Sequence, residues 1–231
     1  MLAMVHFTPL FGAVLVCWIF SVCVHEFAHA VVAYCGGDRS VREKGYLSFN
    51  PFAYVHPVTS ILIPAAFLAM GGLPLPGGAV SINTAALRSR HWSALVSAAG
   101  PVSNFLLFLV IAWVLHPSTG LVDPGVWEQP NWARVLGAMA VLEILSVFLN
   151  LIPVPPLDGF GIIEPYLGRE ARQAAARLGW GGLLLLFMAF RYVDGLQEGL
   201  HRLVDMTMDA LGLPFEITWR QFNVVFFGES E

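Results

Sequence analysis

Apolar residues in this chain fall in long unbroken runs, not in the half-polar stripes of soluble helices. Residues 7–24 contain no charge, and apolar character resumes over 30–35. A run of this length crosses a bilayer as a helix. Gly36-Gly37 supplies its stop signal. Similar runs cover 92–115 and 132–151, and a shorter one covers 178–190. Residues 58–70 are apolar but short for a span, contain Pro64 and end at Gly71-Gly72. The pattern predicts an all-α polytopic membrane protein. It is a bundle of about four to five transmembrane helices with a re-entrant or β-hairpin membrane segment between the first and second full spans. Residues 79–82 have the composition of a short strand, and 200–213 that of an amphipathic surface helix. No internal repeat or linker divides the chain, so 1–231 reads as one domain. Its core covers about 7–165, followed by a C-terminal helix and tail over about 170–231.

Composition strengthens the membrane reading. The 231 residues are 57% hydrophobic and 12% charged, against about 25% charged in soluble domains. The net charge of −4 and the lack of a basic tract argue against a nucleic-acid partner. Cys17, Cys23 and Cys35 all sit in the first apolar helix, which suits packing thiols and not a disulfide framework. The N-terminus lacks the basic region of a cleavable signal, and cleavage would remove the segment discussed next.

That segment is His25-Glu26-Phe27-Ala28-His29. H-E-x-x-H on a helix puts two imidazoles one turn apart on one face, where both reach a single zinc ion. Glu26 stands beside them as a candidate general base. It also lies at hydrocarbon depth, where ionisable groups are costly and mark function. A catalytic zinc takes three protein ligands and leaves one position open. Candidates for the third are Cys35, Asp38, Glu43, His56, Glu143 and Asp158. Cys35 points to another face of the same helix. Asp38 and Glu43 lie among basic residues, and His56 suits an interface. Asp158 follows Pro153, Pro155 and Pro156 and precedes Gly159. The prolines force extended backbone directly after a spanning helix, which delivers a carboxylate to an ion at depth. Glu143 has a structural reading, a hydrogen-bonded acid inside the bundle, as strong as its functional one.

Three stretches together resemble the site-2 protease family of intramembrane zinc metalloproteases. They are His25-Glu26-Phe27-Ala28-His29, then Ala99-Gly100-Pro101-Val102-Ser103-Asn104, then the run from Asn150 to Gly159, N-L-I-P-V-P-P-L-D-G. The resemblance covers roughly 7–165, and Leu47-Ser48-Phe49-Asn50-Pro51 is similar to the compact bacterial branch, with no PDZ-like insertion. It implies one Zn2+ per chain held by His25, His29 and Asp158, Glu26 as the group that activates water, and Asn150 as a partner of the substrate carbonyl. It implies a transmembrane protein as substrate, a lipid bilayer as surroundings, and a place in the bacterial inner membrane. Residues 79–82 would then offer a strand edge to an unwound substrate. The oligomeric state is left open.

Ligand geometry predicts topology independently. His25 and His29 lie near the end of the first helix, and Asp158 lies just past the end of the helix over 132–151. For both ends to meet at one ion, these helices run parallel, so an odd number of crossings separates them. Residues 58–70 therefore enter and leave on one side. The zinc side then collects Arg39, Arg42, Lys44, Arg88, Arg90, Arg169, Arg172 and Arg177 against Arg134 alone opposite. The positive-inside rule places that side in the cytoplasm. A multi-span zinc transporter or metal-binding membrane protein is the rival reading. It would need ion access from both faces, and a glutamate beside the first ligand favours hydrolysis instead.

Overall fold

The computed structural model describes residues 8–55, 60, 77–126, 128–179, 181–193 and 195–228. The Thr8 hydroxyl accepts the Phe11 amide at 3.1 Å, and Pro9 occupies the first turn, so helix α1 starts there and runs Pro9–Gly36. Gly37 ends it with φ of 123°, a conformation that favours glycine. Short helix α2 is Ser40–Glu43. Helix α3 spans Arg90–Leu115, and α4 spans Asn131–Asn150 between Pro130 and the proline-rich ligand loop. Val16, Phe20, Leu106, Val110 and Trp113 stay exposed on α1 and α3. In a bilayer that face meets lipid, while the same helices bury small residues such as Ala30, Ala33 and Ala112.

Two apolar clusters fix the helix directions. One joins Phe11 and Val14 at the start of α1 to Phe108 and Leu115 at the end of α3. The other joins Ala30 and Ala33 to Val96 near the start of α3. So α3 is antiparallel to α1. The N-terminal half of α4 belongs to the first cluster and Asn150 faces the His25–His29 cavity, so α4 is parallel to α1. This is the predicted arrangement. The expected re-entrant segment at 58–70 lies outside the described residues apart from Ser60. Its flanks, however, are neighbours: the Ala79 amide donates to the Tyr54 carbonyl at 3.1 Å. The chain therefore returns to its point of departure before α3 begins.

Downstream, α5 is Asp158–Ile163, α6 Arg169–Leu178, α7 Gly181–Tyr192, α8 Leu196–Ala210 and α9 Trp219–Phe227. Among the described residues three helices, α1, α3 and α4, are long and apolar enough to span. A fourth among those residues would be α6 and α7 together, bent by 72° from one another, counted as one broken crossing. The tail expected over 200–213 does form amphipathic α8, with Val204 and Met208 buried one turn apart. Beyond it, α9 buries Phe222, Val225 and Phe226 and sets the Phe226 ring edge-on to Phe11, 5.6 Å between centroids. Together with α8 it completes the core at the end of the bundle away from the histidines.

Asp38, a candidate ligand from sequence, is instead a clasp. Its carboxylate accepts the Ser40 amide and hydroxyl at 3.0 and 2.6 Å and the Asn83 amide at 2.7 Å. Burial alone would raise this carboxyl, but those hydrogen bonds outweigh it and hold the group below its ordinary value. A depressed carboxyl adds stability that is complete above the ordinary value of about 3.9 and is lost as pH falls through the folded-state value. Thermal stability of the purified chain should therefore fall as pH drops below about 4, and less so in Asp38→Asn. Equal acid sensitivity in both proteins would show that the clasp contributes nothing.

Candidate metal centre

The Nε2 atoms of His25 and His29 stand 3.0 Å apart. One Asp158 oxygen lies 3.1 Å from the first and the other 3.4 Å from the second. Each imidazole is fixed from behind. His29 Nδ1 donates to the Val96 carbonyl at 2.6 Å, and His25 Nδ1 meets Asn104 Oδ1 at 2.5 Å. Backing of this kind leaves Nε2 as the lone-pair nitrogen and sets the ring orientation. Two lone pairs and a carboxylate then face one another, which is unfavourable unless a cation lies between them. Zinc bonds of about 2.0–2.1 Å in a tetrahedron separate ligand atoms by about 3.3 Å, so the observed spacings fit the ion. The three residues form the one group of metal-ligating type among the described residues.

Close packing makes room for this cluster. A Cβ on Gly100 would lie 2.4 Å from both Nε2 atoms, so α3 passes the site where only glycine fits. A Cβ on Gly159 would lie 2.3 Å from the Leu151 carbonyl oxygen, which shows how tightly the ligand loop folds back on α4. Leu157 is extended and Asp158 begins α5. The proline-rich loop sets the carboxylate against α1, though by turns and bends over 151–157 in place of the extended backbone expected.

Glu26 is 6% exposed and forms, with the three ligand candidates, the wall of a cavity of about 500 Å³. Asn150 lines the same cavity, its amide nitrogen 3.3 Å from the Ser146 hydroxyl. Opposite them runs a strip over 77–83 that forms no helix and no β-ladder among the described residues, so the strand expected over 79–82 is not seen there. Its position is imposed from outside: Lys44 Nζ donates to the Ser81 carbonyl at 2.8 Å, and Asp38 holds Asn83. Val80 lines the cavity beside Glu26. A Cβ on Gly78 would sit 2.8 Å from Glu26 Cγ.

The sequence candidates sort cleanly. His25, Glu26, His29, Asn150 and Asp158 meet in one cavity. Asp38 is the clasp, Glu43 and Cys35 are exposed, and His56 lies outside the described residues. Glu143 is fully buried and hydrogen-bonded to Asn104. Missed as site residues were Gly100 and Asn104. Their spacing of four on α3 puts both toward α1, a signal that acquires meaning once α3 is known to cross the H-E-x-x-H helix.

No family model matches the chain, and no solved structure matches it. Curated relatives do. The protein named "Putative zinc metalloprotease Rip2" of Mycolicibacterium smegmatis is 36% identical over 183 residues, 79% of this chain and 68% of the relative. Its namesake in Mycobacterium tuberculosis is 36% identical over 184 residues, 80% of this chain and 68% of the relative. YwhC of Bacillus subtilis, named as a zinc metalloprotease in the same terms, is 32% identical over 186 residues, 74% of this chain and 77% of the relative. With an H-E-x-x-H helix crossing the bundle and these relatives along most of its length, the chain belongs to the site-2 protease family of zinc metalloproteases.

Proposed function

We propose that this metalloprotease hydrolyses peptide bonds within transmembrane segments of membrane-protein substrates, with zinc held by His25, His29 and Asp158. The observation that carries the reading is the meeting of these three ligand atoms on apolar spanning helices, beside a glutamate and an open cavity. His25 stands 16 residues after Pro9, which at 1.5 Å per residue is roughly 24 Å along α1 and still short of its far end. The bond attacked would therefore lie within the membrane.

Zinc, when bound, supplies the Lewis acidity that makes water nucleophilic near neutral pH and polarises the scissile carbonyl. Glu26 takes the proton of the attacking water and later gives it to the leaving amide nitrogen. Asn150 donates a hydrogen bond to the oxygen of the substrate carbonyl as negative charge builds there. Asn104 and the Val96 carbonyl hold the two imidazoles in the tautomer that the reaction needs. The strip over 77–83 excludes bulk water from the opposite wall. A substrate helix must unwind to present one peptide group to this arrangement, because its amides are otherwise paired internally.

Hydrolysis is favoured over transport by the packing of the far half of the bundle. Phe11, Val14, Phe108, Ala138 and Val141 fill it, all buried, which closes a path for an ion to the opposite face. Asp158→Ala should lose at least about 10–100-fold in zinc affinity, the size of effect that even outer partners of ligands have, and should lose cleavage of a single-span reporter in proteoliposomes. Retention of both would assign the third ligand elsewhere.

The cavity should open to the cytoplasm of the bacterial inner membrane. Arg39, Arg42, Lys44, Arg88 and Arg90 all lie at the histidine end of the bundle, in keeping with the positive-inside rule. In a background without Cys17, Cys23 and Cys35, the variants Glu43→Cys and Ser89→Cys should react with an impermeant thiol reagent from the cytoplasmic side. Ser118→Cys should react from the opposite side. Labelling of Glu43→Cys and Ser89→Cys from opposite faces would refute the parallel arrangement of α1 and α4.

A further inference from the structure

Glu143 sits on α4 with no exposed surface. One carboxyl oxygen accepts the Asn104 amide nitrogen at 2.7 Å, and the other has no hydrogen-bond partner among the described residues. Ser21, one turn before His25 on α1, stands beside the pair, its hydroxyl 3.4 Å from the Asn104 nitrogen. An acid at this depth is costly, and an apolar side chain would pack there at less cost. Buried polar groups left partly unsatisfied call for a reason.

Asn104 provides that reason. Its amide has two unlike ends: Oδ1 faces His25 Nδ1 and Nδ2 faces Glu143. Half a turn about its last torsion would set an NH2 group against the Nδ1 hydrogen, donor against donor. The Glu143 carboxyl oxygen that faces Asn104 accepts its NH2 end, which leaves Oδ1 turned toward His25. We propose that Glu143 is a positioning residue of the zinc centre: through Asn104 it locks the hydrogen-bond polarity that presents His25 Nε2 to the metal. The chain of contacts, Glu143 to Asn104 to His25, links α4, α3 and α1. A residue that merely tied α3 to α4 would be indifferent to which end of Asn104 faces His25.

The inference rests on the zinc-ligand reading above, and its test reads zinc affinity separately from cleavage. The full-length chain in detergent is titrated with zinc against a chelator of known affinity, for the parent, Glu143→Leu, Asn104→Leu, the double leucine variant, and Asn104→Asp/Glu143→Gln. Each leucine single should weaken zinc by about 10–100-fold, as losses of such outer partners do. The double leucine variant should be no worse than the poorer single, because one relay is broken once. Asn104→Asp/Glu143→Gln keeps shape and restores an acceptor toward His25, so it should bind within about 10-fold of the parent, a loss smaller than that expected of the singles. Folding is followed by helical circular dichroism. A folded Glu143→Leu with parental zinc affinity, or additive losses in the double leucine variant, would overturn the assignment. If Glu143→Leu does not fold, an isosteric pair that binds zinc as poorly as Asn104→Leu overturns it instead. Should the relay behave as stated while the parent cleaves no reporter, the positioning role stands and the proteolytic reading falls.

Discussion

Gly100→Ala is expected to abolish zinc binding and cleavage together. The added Cβ would lie 2.4 Å from Nε2 of both His25 and His29, and 2.5 Å from His25 Cε1. No rotation of the methyl group relieves this, since a Cβ has its place fixed by the backbone. Either the imidazoles swing away or α3 retreats from α1. Retreat is opposed along the whole contact, where Val96 packs with Ala30 and Ala33, and where the Val96 carbonyl and Asn104 grip the imidazoles. A ligand shift of about 1 Å costs about 100-fold in rate even when the chemistry stays intact, and here the metal itself loses its place. Zinc per purified chain should fall to background, and reporter cleavage with it. Circular dichroism should retain the helical signal, because the change removes a helix-weakening glycine. Ser103→Ala, which removes only a hydroxyl bonded to the Gly100 carbonyl, serves as the neighbour control and should keep its zinc. One zinc per chain in Gly100→Ala would mean that the metal does not sit between His25 and His29.

Much of this site is legible in the sequence, and the reasons are physical. The pair His25 and His29 announces itself because a helix repeats every 3.6 residues, so spacing alone sets both on one face. Asp158 was legible because the prolines around it exclude helix. Helix direction followed from requiring these ligands to meet. What stayed hidden depends on pairing between elements distant in the chain. The Asp38 clasp joins positions 45 residues apart through a side chain and a backbone amide, with no periodic trace. The contact of Gly100 with the imidazoles exists only because α3 crosses α1 at that height. The aromatic-rich stretch that forms α9 read as tail, since a nine-residue helix is too short to register as a span and its burial comes from docking on α4. Residues 79–82 have strand composition, yet the backbone partners of the strip around them among the described residues are Tyr54, Lys44 and Asp38 and not a neighbouring strand.

Glu26→Gln should separate the metal from the reaction. Glu26 is not among the three groups whose atoms converge, so the variant should bind zinc with parental stoichiometry. Gln is close in size, so the packing of Gly78 against the side-chain stem persists. What is lost is the ability to take a proton from water and return it to the leaving nitrogen. General acid–base catalysis by one side chain contributes about 10²–10⁴-fold, and Glu26 would serve both halves of the reaction. Loss of cleavage by at least about 10³-fold at saturating substrate is therefore expected, with the fall in kcat and little change in KM, because the group acts in the transition state and not in holding substrate. Single-turnover cleavage of a single-span reporter in proteoliposomes, paired with zinc analysis of the same sample, measures both quantities. A variant that keeps its zinc and cleaves at near the parental rate would remove Glu26 from the chemistry, and would leave the carboxylate merely a wall residue of the cavity.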